Sequence, residues 1–325
     1  MKKLLALAGA TASLALTLTA CGSGSDSASD ATKITFGYIG DFNGTSLLAI
    51  ADKQGLWKKE GLDVDTKVFT DGPTQIQALG AGDLDYGYIG PGAIWLPASG
   101  KAKIIAVDTL GGADRVIAQP GITSMADLKG KKIGVPAGTS GDMILGLALK
   151  KAGMTEKDVD IVPMDAATIV AAFDTGKIDA AGIYYPTIDT IKQKVPNLVE
   201  LAQDSDFEQD FGFPTAFVSG EKPNAATTAM VDTVLREAMD YRAAHTTEAI
   251  ADTASMLKQT VAAVTADASH DKLLTSAQLD TMTQNGTVDT WLSSLENYFV
   301  GAGKLTSAVD PKTFYLGDDF VAAGK

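Results

Sequence analysis

Gly82-Asp83-Leu84-Asp85-Tyr86-Gly87-Tyr88-Ile89-Gly90-Pro91 returns about a hundred residues later as Gly176-Lys177-Ile178-Asp179-Ala180-Ala181-Gly182-Ile183-Tyr184-Tyr185-Pro186. Gly82, Asp85 and Ile89 correspond to Gly176, Asp179 and Ile183, and each stretch closes a longer unit of the same order. In the first unit, Ile34 to Gly40 reads as a strand, Asp41 to Ser46 as a loop, and Leu47 to about Gln54 as an apolar helix. Val64 to Phe69 follows as a strand, then a helix to Leu79 that starts at Asp71-Gly72-Pro73, with Pro73 in the first turn, where its missing N–H is not needed. The second unit repeats this with a strand Lys132 to Val135, a loop Gly138-Thr139-Ser140-Gly141 and a helix Asp142 to Ala152. A strand Asp160 to Val162 and a helix Ala166 to Phe173 complete it. Alternating β and α segments joined by Gly-rich turns imply parallel α/β sheets, and so long a period implies two lobes rather than a solenoid. In such sheets ligands bind beyond the carboxyl ends of the strands, where both units carry a loop leading into a helix. Free backbone N–H groups there suit a carboxylate, sulfonate or phosphate, although Ser46, Thr139 and Ser140 are also ordinary helix caps.

Composition narrows the chemistry. The chain has 325 residues, enough for two ordinary domains, with 45% hydrophobic and 21% charged residues. Its net charge of -13, from 40 acidic against 27 basic residues, is the wrong sign for a nucleic-acid binder. Two histidines, His245 and His270, and one cysteine, Cys21, leave little for zinc, iron–sulfur, disulfide or Cys-His chemistry, and we expect no metal and no cofactor. Arg115, Arg236 and Arg242 are the only arginines. Gly138-Thr139-Ser140-Gly141-Asp142 lacks the closing glycine of a nucleophile elbow, and Gly80-Ala81-Gly82 lacks the third glycine of a dinucleotide loop. Asp83 and Asp85 alternate along an extended run and point to opposite faces, so they are no catalytic pair. The chain is not expected to be an enzyme.

At the N-terminus, Lys2-Lys3 precede an apolar run from Leu4 to Ala20 that ends at Leu18-Thr19-Ala20-Cys21. This reads as a signal peptide over 1–20, and the placement of Cys21 resembles a bacterial lipobox, in which the cysteine becomes the lipidated first residue. Residues 21–32 have the Gly/Ser/Asp/Ala composition of a flexible tether. Cleavage removes Lys2 and Lys3 and leaves 25 basic against 40 acidic residues. The expected product is exported, anchored by lipid to the outer face of the bacterial cell membrane, and monomeric.

The lipobox, Leu48-Ala49-Ile50-Ala51-Asp52-Lys53-Gln54-Gly55-Leu56-Trp57-Lys58-Lys59-Glu60-Gly61-Leu62, Gly82 to Gly87 and Met125-Ala126-Asp127-Leu128-Lys129-Gly130-Lys131-Lys132-Ile133-Gly134-Val135 resemble the substrate-binding lipoproteins of ABC importers for nitrate, sulfonates and taurine. That family also contains binders of pyrimidine precursors of thiamine. The resemblance covers about residues 33 to 220 well and the C-terminal helices loosely. It implies an α/β fold of the type II periplasmic-binding class: two lobes, two crossover strands near Asp114 to Ile117 and Phe213 to Phe217, and a ligand cleft between the lobes. The implied division is 33–113 for the first part of lobe I, 114–215 for lobe II and 216–325 for the return to lobe I, with Asn224 to His245 as a long helix. It also implies partners: a small-molecule ligand and permease subunits with a cytoplasmic ATPase.

Carried over by position, ligand contacts fall on Phe42, Asn43, Gly72, Pro73, Gly90 and Pro91 in the first lobe, and on Thr139, Ser140 and the segment around Tyr184 in the second. Sulfonate binders often have Trp-Asp-Pro where this chain has Tyr184-Tyr185-Pro186, so the acid that meets a taurine-like amine is missing there. The first ligand expectation is a small organic anion, sulfonate-like or carboxylate-like. Aromatic residues next to Asp41 and Asp142 support the alternative, a box for a cationic or aromatic amine or a thiamine-precursor-like heterocycle. The rival class is a pyrimidine-precursor synthase-like enzyme, which uses an active-site lysine and histidine.

Overall fold

Short apolar runs bounded by glycine form the strands, and the computed structural model, which describes residues 31–325, gathers them into two sheets. The predicted signal peptide, Cys21 and nearly all of the tether lie outside the described residues. In chain order the strands are β1 (Thr32–Ile39), β2 (Leu62–Phe69), β3 (Tyr86–Ile89), β4 (Lys103–Leu110), β5 (Asp114–Ala118), β6 (Lys132–Val135), β7 (Asp160–Pro163), β8 (Ala180–Tyr184), β9 (Val199–Gln203), β10 (Pro214–Ser219) and β11 (Lys272–Leu273). The first sheet has the order β11-β4-β10-β3-β1-β2 and the second β7-β6-β8-β5-β9. β1 runs parallel to β2, from Thr32 opposite Leu62 to Ile39 opposite Phe69, and parallel to β3. β6 runs parallel to β7 and β8 in the same way.

The two units are built alike down to single residues. The Asp85 carboxylate accepts the N–H of Thr35 at 2.7 Å, and the Asp179 carboxylate accepts that of Lys132 at 2.9 Å. Each aspartate thus ties the entry of the third strand of its unit to the start of the first. Asp83 and Asp85 precede β3 rather than alternate along it, so the strand geometry anticipated for them is replaced by a turn.

Each sheet takes in one antiparallel strand where the chain arrives from the other lobe, and the first sheet carries a second, the short edge strand β11, against β4. β10 lies antiparallel between β3 and β4, and β5 antiparallel between β8 and β9. The segments anticipated as crossovers are therefore these inserted strands, and the crossings themselves are Gly111-Gly112-Ala113 and 204–213. They run side by side, with the Gly111 N–H donating to the Phe213 carbonyl at 2.8 Å.

Helix Ala225–Ala244 starts at Asn224, whose side chain accepts the Thr227 N–H. It buries Val231, Val234, Leu235, Ala238 and Met239, spaced for one helical face, in the first-lobe core. An aromatic cluster anchors that core: Phe36 stacks on Tyr86 at 5.5 Å and meets Phe217 edge-on at 5.6 Å. Helix Thr287–Gly301 reaches across, its Tyr298 hydroxyl donating to the Met143 carbonyl at 3.2 Å, while Lys304 pairs with Asp142 at 3.0 Å. No described helix is long and apolar enough to cross a membrane.

Candidate functional site

The carboxyl ends of the parallel strands face a common cleft, and each delivers its loop to it. β1 ends at Ile39, and Asp41 then caps helix Phe42–Lys53, accepting the Gly44 N–H at 2.6 Å. Asp71 caps helix Gly72–Ala81 through the Thr74 N–H at 2.8 Å, with Pro73 in its first turn. From the second lobe come Thr139 and Ser140 at the start of helix Ser140–Lys151, Tyr184 at the end of β8 and Tyr185 just after it. The first crossing adds Ala113 and Asp114, and the end of helix Val261–Ala268 adds Asp267 and Asp271. Together they line a half-open cleft with a cavity of about 60 Å³ at its floor.

One edge of the cleft is shut. The Gly92 N–H donates to the Ser140 hydroxyl at 3.1 Å and the Trp95 indole N–H to the Gly138 carbonyl at 3.2 Å. A Cβ on Gly92 would collide with the Thr139–Ser140 backbone, so glycine is what lets the two lobes touch. The opposite edge opens between Val68, Phe69 and Thr70 on one side and Ala166, Ala167 and Val170 on the other.

The cavity wall is electrostatically one-sided. Asp41, Asp71, Asp114, Asp267 and Asp271 border it together with Tyr88, Tyr184 and Tyr185, and no lysine, arginine or histidine does. The three arginines are engaged elsewhere: Arg115 with Glu200 at 3.0 Å, Arg236 with Asp280 at 2.6 Å, and Arg242 with Asp108 at 2.7 Å in the core. Burial, with the neighbouring Asp267 charge second, raises the Asp41 carboxyl well above the usual range. Burial lifts Asp267 to about 7; it also lifts Asp114 to about 7, with Asp271 adding repulsion. Asp271 reaches about 6 through burial, partly offset by the Asn43 side chain and the Gly112 N–H. The Tyr184 phenol is raised by burial and then by the charges of Asp41, Asp71 and Asp114. Asn43 is 7% exposed, and its Oδ1 has no hydrogen-bond partner.

Acceptors so placed call for donors from a ligand. The N–H groups expected to hold an anion are already engaged at the first helix, where Phe42 donates to Asp267 at 2.7 Å and Gly44 to Asp41. Thr139 donates to the Pro136 carbonyl at 2.7 Å, and Gly138 donates to Asp142 at 2.8 Å. No group of three or more His, Cys, Asp or Glu side chains among the described residues is arranged to hold a metal ion.

Of the residues anticipated as contacts, Asp41, Asn43, Gly72, Gly90, Pro91, Thr139, Ser140, Tyr184 and Tyr185 border the cavity, and Phe42, Pro73 and Asp142 do not. Phe42 is fully buried and packs with Ile250, Ala254 and Val264. Pro73 serves the helix start, and Asp142 holds Gly138 and Lys304. Asp71, Asp114, Asp267, Asp271, Tyr88 and Thr215 border the cavity without having been anticipated there.

Two α/β lobes of matching strand order, each with an antiparallel strand inserted beside its third strand and facing the other across a lined cleft, define a protein of the two-lobed periplasmic-binding fold. The chain belongs to the NMT1/THI5 like family, whose model matches residues 43–266. It is 54% identical over 299 residues, 90% of this chain and 93% of the relative, to a Brucella abortus (strain 2308) protein provisionally named a binding protein. It is 29% identical over 161 residues, 49% of each chain, to the taurine-binding periplasmic protein of Escherichia coli (strain K12). The crystal structure of the periplasmic aliphatic sulphonate binding protein of Escherichia coli superposes with a TM-score of 0.65 at 21% identity, covering 89% of this chain and 99% of that one. A desulfurization enzyme shares the fold as well, with a TM-score of 0.65 at 14% identity over 90% of this chain and 98% of its own.

Proposed function

We propose that the protein is the extracytoplasmic solute-binding component of an ABC importer. It captures a small molecule between its lobes and passes it to a membrane permease driven by a cytoplasmic ATPase. The names of its relatives support the transport role, and the N-terminal pattern supports export with a lipid anchor at Cys21. In this reading lobe II spans about 114–213, the chain works as a monomer, and it performs no chemistry on its ligand.

The wall of the cleft carries the choice of ligand: five aspartates, an unpartnered Asn43 oxygen and three tyrosines, with no basic side chain. Of the two ligand readings open from the sequence, we place the cationic or aromatic amine first. Carboxylates favour a cation, tyrosine faces attract it, and the formal charge of -13 steers it in. The second reading, a sulfonate-like or carboxylate-like anion, draws on the taurine and sulfonate binders among the relatives. Mass spectrometry of the ligand carried through purification without refolding separates the two. Calorimetry with amines, sulfonates and carboxylates does so independently, since a tight ligand at 100 times its dissociation constant adds about 2.7 kcal/mol of stability. Binding confined to anions and indifferent to Asp114→Asn overturns the amine reading.

A further inference from the structure

The acids of the cleft are anchored to two different parts of the frame, although the Asp271 charge also bears on Asp41 and Asp267. Asp41 and Asp267 clasp the first turn of helix Phe42–Lys53, each taking one backbone N–H, at 2.6 and 2.7 Å. Asp271 and Asp114 sit at the first crossing, where Asp271 accepts the Gly112 N–H at 3.2 Å and the Asp114 N–H donates to Asp204 at 2.8 Å. Asp41 and Asp267 each spend one oxygen on the frame and keep the other, while Asp271 is held by the Gly112 N–H and the Asn43 side chain. Tyr184 stands within the field of Asp41 from the first group and Asp114 from the second.

The basic groups packed around the cleft serve neither group as a bound counter-ion. Arg115 turns to Glu200 and to the Gly112 and Asp114 carbonyls, and Lys192 pairs with Glu200. His270 stacks on Tyr185 at 4.0 Å, where burial and the Arg115 charge disfavour its protonated form. Arg242 is spent on Asp108 and Ser46. A ligand with one positive charge satisfies one acid group and leaves the other buried against it, and the orphaned Asn43 oxygen beside Asp271 asks for a further donor.

We infer that the ligand carries two separated basic nitrogens, one for the Asp41–Asp267 group and one for the Asp114–Asp271 group, with Tyr184 beside the link between them. This rests on the amine reading above and narrows it to a diamine-like class.

The test uses the lipid-free full-length mature chain and three probes of similar size: benzylamine, 1,4-bis(aminomethyl)benzene and benzenesulfonate. Calorimetry near pH 7.5, in two buffers of different ionisation enthalpy, is expected to give the diamine at least about tenfold tighter binding than the monoamine. Asp271→Asn is expected to shrink that advantage to roughly threefold or less while the monoamine affinity changes little. Circular dichroism confirms that the variant folds, and Asn43→Ala, which removes the orphaned acceptor, gives a second reading in the same direction. Equal binding of the two amines, with proton uptake accompanying the monoamine, overturns the inference and leaves the amine reading standing. Binding of benzenesulfonate alone overturns both. If no probe binds, the ligand co-purified with the protein decides: two basic nitrogens support the inference, and fewer overturn it.

Discussion

The two lobes share a skeleton and differ in what they hang on it. Both run a parallel pair into a third strand tied back by an aspartate, Asp85 in one and Asp179 in the other. Toward the cleft, however, the first lobe presents Asp41, Asp71, Asp267 and Asp271, whereas the second presents Thr139, Ser140, Tyr184 and Tyr185, with Asp114 at the seam. Repetition preserves what the sheet needs, and specificity resides where the copies diverge. The lobes differ inside as well. The first buries the Arg242–Asp108 pair completely, while the Arg115–Glu200 pair of the second keeps Glu200 31% exposed.

That contrast yields the largest expected effect. Arg242→Met leaves Asp108 buried and unpaired and is expected to cost about 3 to 5 kcal/mol. Arg115→Met, whose partner reaches solvent, is expected to cost roughly 1 kcal/mol. Urea denaturation of both variants checks the order, and equal losses would remove the distinction between the two interiors.

The acids of the cleft and the exposed acids of the second lobe should also respond oppositely to pH. The cleft acids Asp114, Asp267 and Asp271 have folded pKa values raised to about 7, 7 and 6. Between about pH 4 and 7 the folded protein therefore holds protons that the unfolded chain has released. Their contribution is complete below the ordinary carboxylate range and is lost as pH rises through 6 to 7. In the second lobe, Asp127, Asp158 and Asp165 are lowered by backbone N–H bonds, so their contribution persists down through the ordinary range and fades only below it. The ligand-free protein should thus melt higher at pH 5 than at pH 8, by on the order of 5 °C. Asp267→Asn should flatten the slope, and a melting temperature that falls on going from pH 8 to 5 contradicts the burial of these acids.

Asp85→Ala and Asp179→Ala test the shared skeleton. Each removes a charge-assisted bond to a partly exposed backbone N–H, and each is expected to cost about 1 kcal/mol with ligand affinity unchanged. A cost confined to one lobe would mean that the repeat is formal rather than physical.

The skeleton was legible because glycine and apolar runs punctuate it in both copies. β6 falls where the sequence places it, at Lys132–Val135. The helix expected from Leu47 starts instead at Phe42, because Phe-Asn-Gly-Thr-Ser has turn composition while Asp41 supplies a cap that outweighs it. The acids of the cleft were harder to find. Asp71 and Asp114 were visible as a helix start and a strand start, roles that conceal what their free oxygens face. Asp267 joins Phe42 across 225 residues of chain, and nothing in the spacing of Ala266-Asp267-Ala268-Ser269-His270-Asp271 marks it apart from a solvated helix end.

The smallest effect expected is also the one that most sharpens the contrast between the lobes. Ser140 opens the second-lobe helix, and toward an anion its O–H would donate, so Ser140→Ala would then cost about 1.5 to 3 kcal/mol of binding. Its oxygen already accepts the Gly92 N–H from the first lobe, and toward an amine its O–H has no acceptor to meet. The oxygen is therefore part of the contact that shuts one edge of the cleft, and its loss leaves one backbone N–H to find water. Ser140→Ala is expected to lower stability by about 0.5 to 1 kcal/mol and to change amine affinity by less than about threefold. Calorimetry on Ser140→Ala beside Asp114→Asn reads both sides at once. A small loss for the serine with a large one for the aspartate assigns recognition to the acids, and the reverse returns it to the second-lobe helix and to an anion.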